Sequence, residues 1–447
     1  MFKKILIANR GEIALRIVRT CRDLGIKTVA IYSLIDKDAM HVRLADESVC
    51  IGKSSIKNSY LNSFAILSAA EITNSDAIHP GAGFFSENYE FSSMVKKHKI
   101  NFIGPTSEQI QMFGDKINAK KLMKKNNFPV IPGSIDYLKS IDEAKQIAKK
   151  IGYPVILKAG SGGGGKGIRV IKNEKELKTN YPIVKQEVKN SFGNENIYLE
   201  KFFDNPRHIE VQILADKKGN IIHLGERDCS IQRNKQKIIE ETPSPTLSDI
   251  ERKKICNSVV KTIKKIGYES LGTVELLYKN KKFYFMEMNT RVQIEHTITE
   301  RITGVDLIKQ QIKIAAGQHI KLKQKDVQFS GHSIQCRINA EDPHSFIPSP
   351  GRIEEYHSPG GPGVRIDSAL YAGCIVPHQY DNLISKIIIY SRNRNEAILR
   401  LKRCLIEYVI NGVKTNIPLH LKILNSKDYV KGKYHINWLD KFLSINY

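Results

Sequence analysis

The sequence predicts an α/β unit at its N-terminus that gives way to α+β architecture, and three observations carry that prediction. The first hundred residues alternate β-rich runs with stretches of helical periodicity. Residues 158–170 read KAGSGGGGKGIRV, a glycine run with strand-forming residues directly on both sides. Residues 272–296, GTVELLYKNKKFYFMEMNTRVQIEH, fold back on themselves at a lysine-rich turn and carry acids at alternate positions.

The elements follow in order. KKILIAN is a strand, EIALRIVRTCRDLG a helix stopped at Gly25, and IKTVAIYS a second strand. ESVCIG, a helix near 60–70, DAIHPGAGF and NFIGP continue the alternation, as a parallel sheet with helices on its faces requires. The first βα turn is NRGE, which lacks the glycine fingerprint of a dinucleotide site, so this Rossmann-like sheet is expected to bind none. From Gly114 the texture changes. GDKINAKKLMKKNNFP is a short helix ended by Pro129, and IGYPVILKA and IRVI are strands on either side of the glycines. EVQILADKKGNIIHLGERD is a hairpin turning at 218–220, followed by a helix near 251–266. A last block from Gly331 holds proline- and glycine-rich loops, the strand LISKIIIYS and the helix NEAILRLKRCLIEYVI.

Bulk properties bound the possibilities. A chain of 447 residues with 41% hydrophobic and 26% charged content has room for two to four cored domains. The formal charge of +24 comes from lysines spread through the chain and not from a basic run interleaved with aromatics. We read them as a solvated surface and expect no nucleic-acid partner. The seven cysteines are dispersed without a C-x-x-C pair, which fits a reducing compartment better than a zinc or disulfide framework. The apolar run at the N-terminus is too short for a signal peptide, and no stretch reaches membrane-spanning length. A cytoplasmic or organelle-interior location is therefore expected.

The glycine loop satisfies two phosphate-binding patterns only in part. From Gly160 it reads G-x-x-x-x-G-K but then has Gly167 where a hydroxyl belongs, and from Gly162 it reads G-x-G-x-x-G. It joins strand to strand, not strand to helix. That is the arrangement of a lid whose bare backbone N–H groups close over nucleotide phosphates, with Lys158 and Lys166 supplying charge.

In the hairpin, a three-residue loop over 280–282 would set Glu275 opposite Glu287, with Asn289 on the same face. Met286 and Met288 would lie on the other face, and Leu277, Phe283 and Phe285 would partly enclose the acids. Hard oxygen donors of this kind suit Mg²⁺ held jointly with phosphates. Odd-numbered polar residues continue through Arg291, Gln293 and Glu295. A straight strand would spread them over roughly 26 Å, so the chain is expected to bend after Asn289. An arginine, an amide and a carboxylate there would serve a small anion and its general base.

These residues bring the chain into line with a family. It resembles biotin carboxylase, the ATP-grasp subunit of acetyl-CoA carboxylase, from IANRGEIALRI (7–17) to NGVKTN (411–416). HPGAGFFSE, FIGP, EKFFDNPRHIEVQ, ERDCSIQR, EMNTRVQIEH, TGVDLI and RINAEDP appear between them in one order. The resemblance implies an ATP-grasp domain at 114–318 with a lid over about 131–203. It also implies a Rossmann-like N-terminal domain at 1–113 and a biotin carboxylase C-terminal domain at 330–447.

By the same resemblance, Lys116, Lys158, Gln232 and Lys235 contact nucleotide phosphate or its surroundings, and Gly164 and Gly165 supply lid backbone. Glu200, Lys201, Phe202 and Phe203 form the adenine hinge, with His208 nearby. Glu275, Glu287 and Asn289 hold two Mg²⁺ or Mn²⁺ ions. Lys237, Arg291, Gln293 and the Ile294 backbone cradle bicarbonate, Glu295 is its base, and Arg337 steadies the biotin enolate. The reaction implied joins bicarbonate to the γ-phosphoryl of ATP. The resulting carboxyphosphate gives up CO₂ to biotin, which arrives on a separate carrier protein because no A-M-K-M-type site is present. Carboxyltransferase subunits and a homodimer are the other implied partners. Three positions depart from the family pattern: Ala82 in place of Tyr, Lys235 in place of His, and Thr297 in place of Pro. The rival readings are another acyl-phosphate ATP-grasp ligase and a nucleotide-binding regulatory protein.

Overall fold

The protein is described by a computed structural model over residues 1–160 and 167–446. Gly164, Gly165 and Lys166 lie outside the described residues.

Apolar β-branched runs near the N-terminus form a five-stranded parallel sheet: Lys4–Ile7, Lys27–Tyr32, Glu47–Cys50, Ala77–His79 and Asn101–Phe102. In space the third strand comes first, then the second, first, fourth and fifth. The order therefore reverses beside the first strand. The turns after the first and fourth strands meet at this switch point, where open α/β sheets ordinarily place a ligand.

Strands Val155–Ala159 and Arg169–Ile171, either side of the glycine loop, pair antiparallel. Ile197–Lys201 joins them as a three-stranded sheet. Helices Ile141–Ile151 and Glu174–Phe192 cover it, and Val155, Leu157, Leu177, Val184 and Leu199 form its own core.

The largest sheet has eight strands, all paired antiparallel. In spatial order they are Lys282–Asn289, Ser270–Lys279, Arg207–Ala215, Ile221–Arg233, Gln236–Thr242, His332–Asn339, Leu383–Ser391 and Val364–Ser368. Pairing of Gln236–Thr242 with His332–Asn339 joins the strands of the carboxylate hairpin and those of the C-terminal block in one surface. Arg207–Ala215 is buried at every position because sheet neighbours and helices cover both of its faces. Helix Asp249–Ile266 packs behind it, begun by a capping box between Ser248 and Glu251.

The carboxylate hairpin differs from expectation in its turn. Lys279 pairs with Lys282, so the loop is two residues, Asn280 and Lys281, both at positive φ. This is the turn whose twist suits adjoining antiparallel strands. Glu275 still pairs with Glu287, because the register shifts by one residue at Met286. The shift also corrects the facing of the aromatics. Phe285 pairs with Leu276 and Phe283 with Tyr278, so both pack on the core side, away from the acids. On the acids' side it is Tyr284, paired with Leu277, that meets Phe203 at a ring separation of 4.6 Å.

Among the described residues, no helix is long and apolar enough to cross a membrane.

Candidate functional site

Alternation along three adjacent strands brings charge to one face of the large sheet. Glu275 sits directly opposite Glu210, and Leu277 opposite His208, so His208, Glu210 and Glu275 share a patch. All three are buried. Beside Glu210 on the adjoining strand lies Arg227, fully buried, with every donor used: Nε to Glu210, Nη1 to Gln212 and Thr299, and Nη2 to Thr273 and Gln293. Two buried acids need more than one cation, and Lys237 from the next strand but one supplies it. Its Nζ donates to Glu210 at 2.6 Å, Glu275 at 2.8 Å and Glu295 at 2.6 Å.

The strand ends at Asn289 as expected, and the chain then turns into helix His296–Thr303. The bend lets Glu295, which immediately precedes the helix, return to the same patch. One of its oxygens accepts from Lys237 and the other from Arg337 Nη2 at 3.0 Å. Arg337 Nε donates to Glu240 at 2.5 Å. Gln293 Nε2 and Asn289 Nδ2 both donate to Glu275 Oε1, at 2.7 and 2.9 Å. The Ile294 carbonyl accepts from buried Lys386 Nζ at 3.1 Å. Arg291 stands at the mouth, bound to Asn289 Oδ1 at 3.0 Å and to Glu87 at 2.8 Å.

Electrostatics in this buried patch turn on the shared lysine. Burial opposes ionisation of Glu275, yet Lys237 and then His208 hold its carboxyl well below the usual range. Burial likewise opposes ionisation of Glu295, and Lys237, followed by Arg337 and Arg227, lowers its pKa. Three carboxylates in turn push Lys237 well above the ordinary lysine value against the cost of burial. His208 is driven up to about 9 in spite of burial, chiefly by Glu275, whose oxygen lies 3.2 Å from its Nε2. Gln232 contacts the other ring nitrogen at 3.0 Å.

A second group of charges lies toward the small sheet. Glu200 is buried and takes Lys158 at 2.7 Å and Lys120 at 2.9 Å. Lys116 approaches Glu287 at 3.3 Å. Lys235 occupies a turn at positive φ, and its pKa is lowered by burial and by repulsion from Lys158 and Lys116. With Lys120, four ammonium groups thus gather around two acids, a positive excess that suits a polyanion. Lys201 donates its ammonium to the carbonyls of Gly152 and Tyr153, so it is the backbone of this hinge that adjoins the site. Phe202 N–H is bound to Pro154 O, and Phe203 lies on Tyr284.

Of the expected site residues within the described chain, Lys237, Glu275, Asn289, Arg291, Gln293, Glu295 and Arg337 form one connected hydrogen-bond network. Lys158 and Glu200 pair directly, as do Lys116 and Glu287, and Lys235 stands within electrostatic reach of both lysines. Sequence reasoning missed Glu210, Arg227, Glu240, Lys120 and Glu87. Glu210 alternates with His208 in RHIEVQ, and that was the available signal; its partner strand was not readable. One departure has a local account. The Thr297 hydroxyl bonds Gln335, which in turn bonds Glu240 at 3.0 Å beside Arg337. The Ala82 carbonyl accepts from Asn9 Nδ2 at 2.9 Å, a contact any residue would make, and nothing in the structure explains the missing tyrosine ring.

Antiparallel strands flanking the glycine run, and a large sheet bearing paired carboxylates with lysines beside them, are the features of an ATP-dependent ligase of the ATP-grasp class. Comparison with known proteins refines this. Family models match at residues 1–110 (biotin carboxylase, N-terminal domain), 115–323 (carbamoyl-phosphate synthase L chain, ATP binding domain) and 335–441 (biotin carboxylase C-terminal domain). The chain belongs to the biotin carboxylase family. It is 51% identical over 445 residues to biotin carboxylase 1 of Bacillus subtilis, covering 99% of each chain. It is 50% identical to a pyruvate carboxylase subunit of Methanothermobacter thermautotrophicus, covering 99% of this chain and 90% of that one. Among solved structures, it superposes with TM-score 0.95 at 49% identity on the biotin carboxylase domain dimer of Hydrogenobacter thermophilus 2-oxoglutarate carboxylase. That structure, in complex with MgADP, ADP and bicarbonate, is matched over 99% of this chain and 98% of its own.

Proposed function

We infer that the protein carboxylates biotin on a carrier protein, using ATP and bicarbonate by way of carboxyphosphate. The observation that carries this is Glu295, an ionised buried carboxylate held between Lys237 and Arg337. In this reading Lys237, Arg291, Gln293 and the Ile294 backbone hold bicarbonate, and Glu295 takes its proton. Its oxyanion then attacks the γ-phosphoryl group, and ADP leaves. Lys116, Lys158 and Lys235 line the phosphates, with the lid backbone at Gly164 and Gly165. Glu200 to Phe203, His208 and Gln232 border the nucleotide. Glu275, Glu287 and Asn289 are the hard oxygen donors that suit Mg²⁺ or Mn²⁺, which when bound draws charge from the phosphate oxygens. Carboxyphosphate breaks down to CO₂ and phosphate, and the phosphate takes the ureido proton of biotin. Arg337 stabilises the enolate that attacks CO₂. Because carboxyphosphate reacts with water, the site must be closed during turnover.

We divide the chain into 1–113, 114–318 with a lid over about 131–203, and 330–447. The separate core of the small sheet supports treating the lid as a unit. We assign the protein to the first half-reaction of acetyl-CoA carboxylase in the cytoplasm, as a homodimer served by a biotin carboxyl carrier protein and carboxyltransferase subunits. Relatives at almost equal identity carry pyruvate and 2-oxoglutarate names, so a two-subunit carboxylase of that kind is the second reading. The test is ADP release from Mg-ATP, with and without biotin and with and without bicarbonate. Stimulation that requires both supports the reading, and turnover indifferent to biotin defeats it. Reconstitution with carrier and each carboxyltransferase separates the two acceptors.

A further inference from the structure

We propose that Glu87 is a positioning residue for Arg291, delivered by the N-terminal sheet so that the guanidinium presents its terminal nitrogens to the incoming anion. The proposal rests on the bicarbonate reading above. Glu87 Oε2 accepts from Arg291 Nε at 2.8 Å, while its Oε1 accepts from the Thr290 N–H at 3.1 Å. One carboxylate therefore grips both the side chain and the backbone at the point where the strand ends. Asn289 Oδ1 takes one N–H of Nη2 at 3.0 Å, and the Val292 carbonyl takes one of Nη1 at 3.3 Å. A guanidinium has two N–H bonds on each terminal nitrogen, so one remains on each for an anion. A planar fork fixed in this way loses less freedom when the ligand arrives.

Glu87 is itself held firmly, and this gives a purpose to two motifs that the reaction leaves unused. Asn9, at the end of IAN, donates Nδ2 to the carbonyls of Pro80 and Ala82 at 2.7 and 2.9 Å. This ties together the turns after the first and fourth strands, at the switch point of the sheet. Gly81 runs at φ +66°, and a Cβ there would lie 2.7 Å from Asn9 Nδ2, so the clamp requires glycine. Phe84 stacks on Tyr60 at 5.2 Å and Phe85 on Phe91 at 4.3 Å. Ser86 N–H closes back on Gly83 O at 3.0 Å, and Asn88 caps helix Tyr89–Lys97 by accepting from Phe91 N–H at 2.7 Å. Glu87 thus projects from between a closed turn and a capped helix. A sheet that carries no dinucleotide fingerprint uses its ligand crevice to build an arm 204 residues away in sequence from the arginine it steadies.

The Glu87 side chain is 37% exposed and that of Arg291 22% exposed. Such a pair contributes little to folding, so its substitution isolates the functional effect. The experiment is bicarbonate-dependent ADP release by wild type, Glu87→Gln and Glu87→Ala, together with a crystal structure of the Ala variant. We expect KM for bicarbonate to rise about tenfold in Glu87→Ala and less in Glu87→Gln, whose single amide oxygen keeps one of the two acceptor contacts without the charge. KM for ATP should stay within about twofold. A lower or unchanged KM for bicarbonate would make Glu87 a competitor of the anion or a bystander, and an equal rise in both KM values would make it a structural residue; each overturns the proposal. The crystal structure is independent of turnover. Arg291 displaced from Asn289 supports positioning, and Arg291 unmoved defeats it even if wild type proves indifferent to bicarbonate.

Discussion

Glu275 and Glu287 stand directly opposite each other, although the two-residue turn joining their strands would by itself pair Glu275 with Met286. The one-residue shift at Met286 makes up the difference. It separates the two tasks of the hairpin. Before the shift the returning strand sends Phe283 and Phe285 into the core, and after it the strand sends Glu287 toward Lys116 and Asn289 toward Glu275. A regular strand starting from a longer turn would reach the same carboxylate pairing but would place the two phenylalanines beside the acids.

The turn itself is not optimised for stability. Lys281 occupies the second central position at φ +59°, a conformation that costs an L-residue about 1 kcal/mol and costs glycine almost nothing. Lys281→Gly should raise the thermal midpoint by about 1 °C, after allowing for the extra freedom glycine gives the unfolded chain. Differential scanning of the two proteins checks it, and a lower midpoint would contradict the turn assignment.

His208 makes stability depend on alkaline pH. Its pKa is raised from 6.5 to about 9 in the folded state, where burial is outweighed first by Glu275. A group raised on folding contributes fully below its unfolded pKa and loses that contribution as pH climbs through the folded value. Wild type should therefore lose about 3 kcal/mol between pH 6.5 and 9 from this residue. Lys237, raised well above its ordinary value, stays charged across that window. Urea midpoints against pH for wild type and His208→Gln test this. The variant should show a shallower fall, and parallel curves would sink the assignment.

The sequence carried local information well and non-local information poorly. Two-residue periodicity was enough to put Glu287 and Asn289 on one face, and strand length was enough to demand the bend that returns Glu295, but Glu275 meets Glu287 only because the shift at Met286 offsets the shorter turn. The loop length was misread because nothing in KNKK reports whether its lysines lie in the turn or in the strands, and the phenylalanines were misfaced along with it. Arg227 and Glu210 escaped because their importance depends on which strands become neighbours in the sheet. Glu87 escaped for a stronger reason: its partner lies in another domain, and an acid just before a helix reads as an ordinary helix-start residue.

Lys235 makes a third prediction. Burial and its neighbours Lys158 and Lys116 lower its pKa, so it completes a repulsive cluster that a bound polyphosphate relieves. Histidine at this position would carry the charge only below about pH 6.5. For Lys235→His, KM for ATP should rise about tenfold between pH 6 and pH 8, while wild type stays flat. Steady-state kinetics at the two pH values decide it. A flat profile in the variant would remove Lys235 from the phosphate contacts.

Glu295→Gln tests the base directly. The substitution removes one negative charge facing Lys237 and Arg337, but Lys237 keeps Glu210 and Glu275, and Arg337 keeps Glu240. Neither buried cation is stranded, so the fold should stand. The amide cannot accept the bicarbonate proton, and loss of a positioned base costs about a hundredfold or more in kcat. The lysine group of Lys116, Lys158 and Lys235, which we assign to the phosphates, is untouched, so ATP affinity should change by no more than about twofold. Isothermal titration with a non-hydrolysable ATP analogue, run beside bicarbonate-dependent turnover, separates the two effects. A parallel loss of nucleotide binding would mean that Glu295 supports the sheet and not the proton transfer.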